Sequence, residues 1–546
     1  MKNLTSLKWI FKNSKGVFLP VVLLALVSAM MSLCVIGLTL VSKEVVDIAT
    51  DANNEPFFEK ILFLALLIIA ELVIQTVYSR LNIKISGKME IGFKTSVFKS
   101  LMNKDLSEIY KFHSGELLNR LTADVNVVVT GFINIVPNLV NLITRLIGAF
   151  WVLFFLDSSF ALIYLVFGPL FFIITRIYSK KMKSLHKKVQ ESDGKVKSYM
   201  QEALQNILVI KAFKNEVPIS DETSKLQKIN YDYKLKRNLI SIFANILMYV
   251  AFTFGYYFAL GWGAYKLSLG LITVGTLTAM LQLVSQVQNP IRGLSNVVPQ
   301  YYSMIASAER LMELENLKND MVADSGIECD LLYKNLDKIV FTDVTFHYDE
   351  RNRIIENFNY EIKKEEFIAI KGISGIGKST LLKLLLGVIV AQSGKIELVL
   401  KDGKTVPVDN STRGLFAYVP QGNMILSGTI KDNIRFFKED ITDEDIKNAC
   451  TLSGMDAFLT TLPDGLDTVI GEKGIGLSEG QVQRIAIARA LISGSPVLLL
   501  DESTSALDSD TEKDVLTNIK NLHEKTCIIV SHKQAAFDIC DKIIGF

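Results

Sequence analysis

Nine residues, Gly372 to Thr380, have the types and spacing of a phosphate-binding loop. They follow an apolar strand, Phe367 to Ile370, and open into a largely apolar helical run, Leu381 to Leu386, which is the context that such a loop requires. The glycines let successive backbone N–H groups turn towards phosphate oxygens at a helix N-terminus, where negative charge is favoured. The sequence therefore predicts that a nucleotide binds here.

The side chains of the loop add a charge and a metal ligand. Lys378 places a positive charge beside the phosphates, and the hydroxyl of Ser379 can reach a Mg²⁺ ion that bridges the outer phosphates. A chance glycine-rich loop is the alternative, and further elements downstream, in the order that the same chemistry requires, weigh against it. The residues that we predict to contact the nucleotide are Gly372, Ser374, Gly375, Ile376, Gly377, Lys378, Ser379 and Thr380.

An apolar strand that starts at Val497 ends in two carboxylates, Asp501 and Glu502. The end of a strand is where an α/β sheet places its ligands. Asp501 is suited to hold Mg²⁺ through water, and Glu502 is suited to orient or deprotonate the water that attacks the γ-phosphate. A strand capped by acidic residues at a turn is the alternative interpretation.

Three single residues are predicted to complete this site. Gln421 follows another strand end, and its amide can contact Mg²⁺ or water. His532 follows the strand Cys527 to Val530 and is placed to reach a γ-phosphate, while Tyr348 ends an alternating strand and its ring can stack on an adenine base. Each is a weak signal alone, so these roles depend on the phosphate loop and the two carboxylates.

A second phosphate-binding helix N-terminus is predicted before the helix Val482 to Leu491. Ser478, Gly480 and Gln481 lie in the preceding turn, where a hydroxyl and backbone N–H groups can face an anion. One nucleotide does not easily use two such ends if they lie far apart in one domain. The arrangement therefore predicts a dimer in which each nucleotide lies between two subunits.

The part of the chain that precedes these motifs is apolar enough to cross a membrane. Of the 546 residues 49% are apolar, and the apolar residues concentrate before about residue 295. The first apolar run is longer than the ~7–15 residues of a signal peptide, so we interpret it as a spanning helix. Six stretches reach the ~20 residues that a span needs, at 17–41, 58–79, 133–156, 160–178, 239–265 and 271–295.

Charge predicts the orientation of these spans. The segment 42–60 is acidic, whereas the long loop 80–130 is rich in lysine, so the positive-inside tendency places the long loops in the cytoplasm. This loop and a second one, 179–238, contain periodic apolar residues and predict helices that continue out of the membrane. Breaks at Lys111 to Gly115 and at Lys211 to Glu216 are expected to present short helices to the nucleotide-binding domain; a solvated helical hairpin is the alternative.

Two ionisable residues, Glu71 and Arg145, lie inside the second and third predicted spans. Charges within a membrane are rare enough to count as functional candidates. We hypothesise that they form an ion pair, within or between subunits, or a polar patch that lines a substrate pathway. A purely structural pair is the alternative.

Composition excludes other classes of site. The net charge of +2 indicates no nucleic-acid-binding surface, so we expect no nucleic acid partner. The five cysteines are scattered without the spacing of metal ligands, so reduced thiols are expected.

Together, these motifs resemble those of ATP-binding cassette (ABC) exporter half-transporters, and the resemblance covers nearly the whole length. Ser114 to Asp124 and Val209 to Phe213 are similar to the exporter coupling loops. In the terms of this family, Gly372 to Thr380 looks like the Walker A motif, Val497 to Glu502 looks like Walker B, and Leu477 to Gln481 looks like the signature motif. Gln421 looks like the glutamine of the Q-loop, and Ser505 to Asp508 looks like the D-loop. His532 looks like the switch histidine, and Tyr348 looks like the adenine-stacking residue.

The resemblance implies an α-helical membrane domain with six transmembrane helices at 1–320, a linker at 321–335, and an α/β P-loop NTPase domain with a helical subdomain at 336–546. It implies ATP-driven export of an amphipathic or hydrophobic peptide, lipid or drug-like molecule across a bacterial cytoplasmic membrane, by alternating access and with Mg²⁺. We expect a homodimer in contact with membrane lipid, with the nucleotide-binding domain in the cytoplasm. One half of a heterodimer, and an ATP-gated channel or regulator, are the alternatives.

The chain departs from the family pattern in three places. Glu479 stands where glycine is commonest, which a first helical turn tolerates because its dipole suits a carboxylate. Family members usually continue some tens of residues beyond the position of His532, so the last strand and helix are expected to be short or truncated before Phe546. No leader-peptidase domain precedes the first span, so peptide export coupled to leader cleavage is not expected.

Overall fold

The computed structural model describes residues 2–50, 57–320, 328–349, 352–422, 425–471, 476–522 and 524–546. The chain divides into two compact units, one formed by Met1–Val97 with Leu118–Glu313 and the other by Phe98–Leu117 with Leu314–Phe546. Of the predicted linker, residues 321–327 lie outside the described residues, and 328–335 contain a short helix.

Long helices dominate the first part of the chain, and the longest, α9, has 53 residues. The predicted breaks are confirmed, because α4 and α5 are separated at residues 110–113, and α8 and α9 at 213–215. A π-helical turn, Arg120–Asp124, leads into α6. The helices are α1 (Lys2–Asn13), α2 (Phe18–Thr50), α3 (Phe57–Met102), α4 (Leu106–Ile109), α5 (Ser114–Asn119), α6 (Val125–Leu156), α7 (Ser158–Gln205), α8 (Ile207–Ala212), α9 (Glu216–Ser268) and α10 (Val274–Glu315).

Among the described residues, four helical stretches are long and apolar enough to cross a membrane. They contain the predicted spans 17–41, 58–79, 133–156 and 239–265. The predicted span 160–178 lies on α7, and the predicted span 271–295 begins three residues before α10 and continues on it. Large apolar side chains such as Leu62, Leu66 and Ile69 are exposed on α3, as expected for a helix whose solvent is lipid. The four stretches are Lys15–Thr50, Phe57–Met102, Ser114–Leu156 and Glu216–Ser268.

Small and polar residues join α2 to α6. The Ser28 hydroxyl donates to the carbonyl of Pro137 at 3.0 Å, and the Ser32 hydroxyl donates to the carbonyl of Asn141 at 3.1 Å. The Asn141 amide in turn donates to the carbonyl of Ser28 at 3.2 Å. Small residues let two helix backbones approach closely, and such hydrogen bonds stabilise pairs of helices where water is absent.

Asp157 joins the turn between α6 and α7 to α9. Its carboxylate caps α7 by accepting the backbone N–H of Phe160 at 3.1 Å, and it accepts the indole N–H of Trp262 at 3.1 Å. The ammonium of Lys266 lies 2.7 Å from the same carboxylate, whose side chain is only 3% exposed. The buried carboxylate is therefore both hydrogen-bonded and charge-compensated, as burial of a charge requires.

The opposite end of α6 is joined to α10 by charged groups. Asp124 is 3% exposed and accepts hydrogen bonds from the Arg310 guanidinium and from the Ser307 hydroxyl. Arg120 donates to the carbonyl of Arg310 at 3.0 Å and lies 2.8 Å from the carboxylate of Glu313. The π-helical turn that contains Arg120 and Asp124 therefore places both side chains against α10.

The remainder of the chain alternates strands and helices. The strands are β1 (Leu336–Asp349), β2 (Asn352–Lys363), β3 (Phe367–Lys371), β4 (Ser393–Leu400), β5 (Thr405–Pro407), β6 (Phe416–Val419), β7 (Gly428–Thr429), β8 (Val469–Ile470), β9 (Val497–Asp501), β10 (Thr526–Val530) and β11 (Lys542–Gly545). The helices are α11 (Cys329–Lys334), α12 (Lys378–Leu385), α13 (Ile430–Arg435), α14 (Asp443–Leu452), α15 (Asp456–Leu459), α16 (Glu479–Ile492), α17 (Ser509–Lys520) and α18 (Gln534–Ile539).

Two sheets organise this part of the second unit. The order β11-β3-β10-β9-β6 gives a five-stranded sheet in which each described pair is parallel, and β2-β1-β4-β5 gives an antiparallel sheet. The central strands β3, β9 and β10 are continuous apolar runs because helices or strands cover both faces. Their carboxyl ends therefore meet at one edge of the sheet.

A separate helical core lies beside the sheets. It is built by α13, α14 and α16 with apolar residues that are almost fully buried, such as Ile434, Ile446 and Ile485. The predicted fold class, a helical membrane domain followed by an α/β domain with a helical subdomain, agrees with this architecture.

Candidate functional site

The loop between β3 and α12 has a backbone that only glycine adopts without strain. Gly375 and Gly377 have φ of +84° and +116°. A Cβ on Gly377 would lie 2.6 Å from the Cγ2 of Ile354, so the loop packs tightly against β2. Lys378 begins α12 and is 4% exposed; its ammonium donates to the carbonyls of Gly372 at 2.7 Å and Ile373 at 3.2 Å.

Asp501 ends β9 and lies beside the start of α12. It is 1% exposed and accepts hydrogen bonds from the hydroxyls of Ser379 at 3.0 Å and Tyr418 at 2.9 Å. Burial raises the pKa of the Asp501 carboxyl, the charge of Glu502 raises it further, and the two hydrogen bonds oppose that rise. The structure therefore joins the predicted metal ligands Ser379 and Asp501.

The oxygen ligands at this point fit Mg²⁺. No group of three or more His, Cys, Asp or Glu side chains that could hold a metal occurs in the described part of the chain. Mg²⁺ does not need such a cage, because it is usually held by one or two protein carboxylates together with phosphate oxygens and water. Ser379 and Asp501 supply a hydroxyl and a carboxylate side by side, which matches that requirement.

Glu502 has a strained backbone and contacts two other predicted residues. Its φ is +49°, in the left-handed region that is rare for a side chain of this size, and its N–H donates to the carbonyl of Val530 at 3.0 Å. The Gln421 amide donates to one carboxylate oxygen at 2.7 Å, and the Nε2 of His532 lies 3.4 Å from the other. That same Nε2 is 3.1 Å from the ammonium of Lys378.

Adjacent strands explain why residues so far apart in sequence meet. Gln421, Glu502 and His532 each follow the carboxyl end of a strand, and these strands, β6, β9 and β10, are neighbours in the sheet. The edge formed by such ends is where an α/β sheet binds ligands. The structure thus brings Lys378, Gln421, Glu502 and His532 into one connected cluster.

Tyr348 lies at the end of β1 and is 49% exposed. Its hydroxyl is 3.5 Å from the hydroxyl of Thr380, and its ring makes an edge contact with Phe346 at a centroid distance of 4.9 Å. The structure therefore brings Tyr348 next to the predicted phosphate loop while a large part of its surface stays accessible to a ligand.

The second helix N-terminus is closed by a reciprocal pair of hydrogen bonds. The N–H of Gln481 donates to the Ser478 hydroxyl at 3.3 Å, and the N–H of Ser478 donates to the Gln481 side chain at 2.8 Å. This is a capping box that begins α16. Among the described residues, no hydrogen bond or ion pair joins Ser478, Gly480 or Gln481 to the phosphate loop. Ser478, Gly480 and Gln481 therefore form a group that is separate from the phosphate loop.

The turn after Glu502 connects this second group to His532. A Cβ on Gly480 would lie 2.9 Å from the carbonyl oxygen of Ala506, so α16 packs closely on the turn. Gln483 donates to the hydroxyl of Ser505 at 3.0 Å and accepts the N–H of Ala506 at 3.0 Å. On the other side Lys533, next to His532, donates to the carbonyls of Thr504 and Leu507, at 3.1 and 2.5 Å.

Sequence reasoning missed Tyr418, Gln483 and Lys533 as contributors. Tyr418 lies on β6 and donates to the carboxylate of Asp501. The available signal was its place near the carboxyl end of the short apolar strand β6, because that edge of an α/β sheet is where ligands bind. Gln483 and Lys533 carried no comparable signal, since their roles depend on which turn lies beside them.

Glu71 and Arg145 lie on α3 and α6, and both are partly buried. The Nε of Arg145 is buried without a hydrogen-bond partner among the described residues. No ion pair joins Glu71 to Arg145 within the described part of this chain. The hypothesis of a contact between subunits or of a polar patch stays a prediction.

Comparison with known protein families gives two matches along the chain. Residues 21–291 match the family described as ABC transporter transmembrane region, and residues 355–505 match the family described as ABC transporter. The first match covers the long helices, and the second covers the phosphate loop, Gln421, Ser478 and Glu502.

Individual relatives match almost end to end. A Rickettsia felis protein named as an export ATP-binding/permease protein is 31% identical over 96% of this chain and 91% of its own length. An ATP-dependent lipid A-core flippase of Desulfotalea psychrophila is 28% identical over 90% of this chain and 87% of its own length. A solved structure of a bacterial Atm1-family ABC exporter with ATP bound shares the fold, with a TM-score of 0.80, 22% identity, and coverage of 98% of this chain and 93% of that one.

Proposed function

We propose that this chain, which belongs to the ABC transporter family, hydrolyses ATP to export an amphipathic or hydrophobic molecule across the cytoplasmic membrane. The proposed transport cycle is alternating access. The chain is a multi-pass membrane protein and an ATPase coupled to transport. The observation that best supports the proposal is the connected cluster of Lys378, Gln421, Glu502 and His532 at the carboxyl edge of the parallel sheet.

In this cluster Glu502 is the proposed general base. One of its carboxylate oxygens is held by the Gln421 amide at 2.7 Å, which fixes its direction for a water molecule that attacks the γ-phosphate. The Nε2 of His532 lies 3.4 Å from the other carboxylate oxygen and 3.1 Å from the ammonium of Lys378. Lys378 and His532 would contact the phosphate oxygens as charge develops there. Phosphoryl transfer depends chiefly on such positioning and charge stabilisation.

Mg²⁺ would be held by Ser379, Gln421 and Asp501 with phosphate oxygens and water. When bound, the ion would neutralise part of the negative charge of the phosphates. The hydroxyls of Ser379 and Tyr418 orient the carboxylate of Asp501 for this role. The backbone N–H groups of Gly372, Ser374, Gly375, Ile376, Gly377 and Thr380 would bind the phosphates, and Tyr348 would stack on the adenine.

We propose a homodimer in which each ATP also contacts the partner subunit's Ser478, Gly480 and Gln481. The separation of these residues from the phosphate loop supports this arrangement. Glu502 and His532 are both present, so both sites of such a dimer would be competent. ATP binding would then close the two nucleotide-binding units on each other, and hydrolysis would release them.

The substrate is proposed to pass beside the polar groups of the membrane unit. Arg145 has a buried Nε without a partner among the described residues, and Glu71 lies on a neighbouring predicted span. A polar group among apolar helices suits a molecule with one polar end, and unsatisfied donors in a membrane favour an acceptor on the substrate. A relative named as a lipid A-core flippase supports a lipid, while peptides and drug-like molecules have the same amphipathic character.

The experiment that tests this function measures ATP hydrolysis by the full chain in lipid nanodiscs, with panels of peptides, lipids and hydrophobic drugs. We expect Mg²⁺-dependent hydrolysis that one compound class stimulates, and a loss of about a hundredfold or more in Glu502→Gln, as removal of a general base predicts. Glu439→Gln is the control, since Glu439 is exposed and lies outside the cluster. Equal hydrolysis in Glu502→Gln and the wild type would contradict the proposed site.

A further inference from the structure

Arg413 connects the helix after the phosphate loop to the residues that follow α10. It lies in a short 3₁₀ turn, Asn410–Leu415, that leads into β6. Its guanidinium donates to the carbonyls of Leu386 at 3.3 Å and Gly387 at 2.8 Å. The same group donates to both carboxylate oxygens of Asp320, at 2.8 and 3.3 Å. A planar guanidinium with paired donors gives a directed and strong contact.

The two carbonyls belong to the C-terminal end of α12. Gly387 ends this helix with φ of +65°, and a Cβ there would lie 2.9 Å from the backbone carbonyl of Asp409, so no other residue fits well. The last carbonyls of a helix lack partners within it and carry partial negative charge, which favours a cation. Helix α12 is therefore fixed by Arg413 at its C-terminus, while its N-terminus is the phosphate loop.

Asp320 is in turn bonded to the first cytoplasmic segment through its backbone. Its N–H donates to the carbonyl of Asn103 at 2.9 Å, and the N–H of Asp105 donates to the carbonyl of Lys318 at 3.0 Å. These two bonds form a minimal antiparallel pair between residues 103–105 and 318–320. A displacement of Asp320 would therefore act on Asp105, the residue that caps the short helix α4.

Lys104 strengthens this pair. It is 6% exposed, and its ammonium donates to the carbonyls of Glu315 at 2.5 Å and Leu317 at 2.9 Å and to the side chain of Asn319 at 2.7 Å. A buried ammonium with three acceptors is fully satisfied, and removal of any acceptor is costly. The end of α10 and residues 103–105 are therefore expected to move as one piece.

We infer that Arg413 and Asp320 are positioning residues that carry a nucleotide-dependent shift of α12 to residues 98–117 and to the end of α10. The inference rests on the proposed function, because it needs ATP to bind the phosphate loop. A rigid helix of two turns that is held at both ends transmits a displacement along its axis. Lys383, in the middle of α12, also lies 5.7 Å from the ring of Tyr110, so the helix contacts the same segment along its side.

The test measures hydrogen exchange in the full chain in lipid nanodiscs, with and without the non-hydrolysable analogue AMP-PNP and Mg²⁺. Asp320→Asn removes the charge that Arg413 binds, and Asp320→Glu keeps it. Asp443→Asn is the matched control, because Asp443 forms an ion pair of 2.6 Å with Lys431 on the helical subdomain. We expect AMP-PNP to slow exchange in residues 98–117 by about threefold or more in the wild type, in Asp320→Glu and in Asp443→Asn.

In Asp320→Asn we expect that nucleotide effect to disappear, while the protection of residues 372–380 persists and ATP hydrolysis stays within about twofold of the wild type. A full nucleotide effect in Asp320→Asn would overturn the inference. Faster exchange of residues 98–117 before nucleotide is added would also overturn it, because the pair would then only hold the structure together. Lack of protection at 372–380 in the wild type would contradict the proposed function itself, and the inference would fall with it.

Discussion

At the scale of single residues, the surroundings of Glu502 are the clearest sign of chemistry. Its left-handed backbone costs about 1–3 kcal/mol, a cost that proteins tend to accept at functional sites. The strain aims the carboxylate at Gln421 and His532 rather than into the sheet. Asp501, one residue earlier, points the other way, into hydrogen bonds with Ser379 and Tyr418. Two neighbouring carboxylates are thereby separated into a proposed base and a proposed metal ligand.

Tyr348 gives a residue-scale prediction, because its ring and its hydroxyl have separable roles. Tyr348→Ala should raise the KM for ATP about threefold to tenfold through loss of stacking, whereas Tyr348→Phe should stay close to the wild type. The measurement is ATP hydrolysis as a function of ATP concentration. If Tyr348→Phe is as impaired as Tyr348→Ala, the hydroxyl beside Thr380, and not the ring, makes the important contact.

The sequence predicted most of this cluster, because its residues follow recognisable apolar strands and a glycine-rich loop. It did not predict Tyr418 or the Arg413–Asp320 pair, since those contacts join residues 83 and 93 positions apart and depend on which elements become neighbours. Residue types alone do not specify such pairs.

At the scale of elements, the N-terminus of α16 shows how a local motif can serve two purposes. Ser478 and Gln481 close a capping box that stabilises the helix, and they are also the residues proposed to face the partner's nucleotide. A capping box also begins α14, where Thr442 and Asp445 form the same kind of reciprocal hydrogen bonds. Both caps are on exposed residues of the same subdomain, so they can be compared directly.

We therefore predict that Ser478→Ala and Thr442→Ala each lower the free energy of unfolding by about 1 kcal/mol, as loss of an N-cap does. Only Ser478→Ala should also lower ATP turnover, by about tenfold, because it removes a proposed nucleotide contact. Thermal unfolding and ATP hydrolysis, measured on the same preparations, separate the two effects. Equal turnover in the two variants would assign Ser478 a capping role alone.

Two different signals in the sequence predicted the long helices. Hydropathy located the spans 58–79 and 239–265, and the periodic apolar residues of the cytoplasmic segments predicted helices that continue beyond them. Helix α3 does so to Met102, and α9 begins at Glu216. An apolar run reports the thickness of a bilayer, whereas a helix continues until its backbone pattern is interrupted. The two breaks in the cytoplasmic segments were predicted for this reason, from the short sequences Lys111 to Gly115 and Lys211 to Glu216.

At the scale of the whole molecule, one polypeptide contains a helical membrane unit and an α/β ATPase unit, as in the exporters that it resembles in sequence and fold. The second unit also includes residues 98–117 from the first cytoplasmic segment. The chain therefore passes between the two units at three points, 97–98, 117–118 and 313–314. Such connections are what coupling of hydrolysis to transport requires.

The central claim is that ATP hydrolysis at this site drives movement of a molecule across the membrane. The most direct measurement reconstitutes the wild type and Glu502→Gln in proteoliposomes and follows fluorescent lipid analogues, labelled hydrophobic peptides and drug-like dyes after ATP is added outside. We predict ATP-dependent movement of at least one class against its gradient in the wild type, and none in Glu502→Gln. Movement only down a gradient, opened by ATP and equal in both proteins, would contradict this account and indicate an ATP-gated channel.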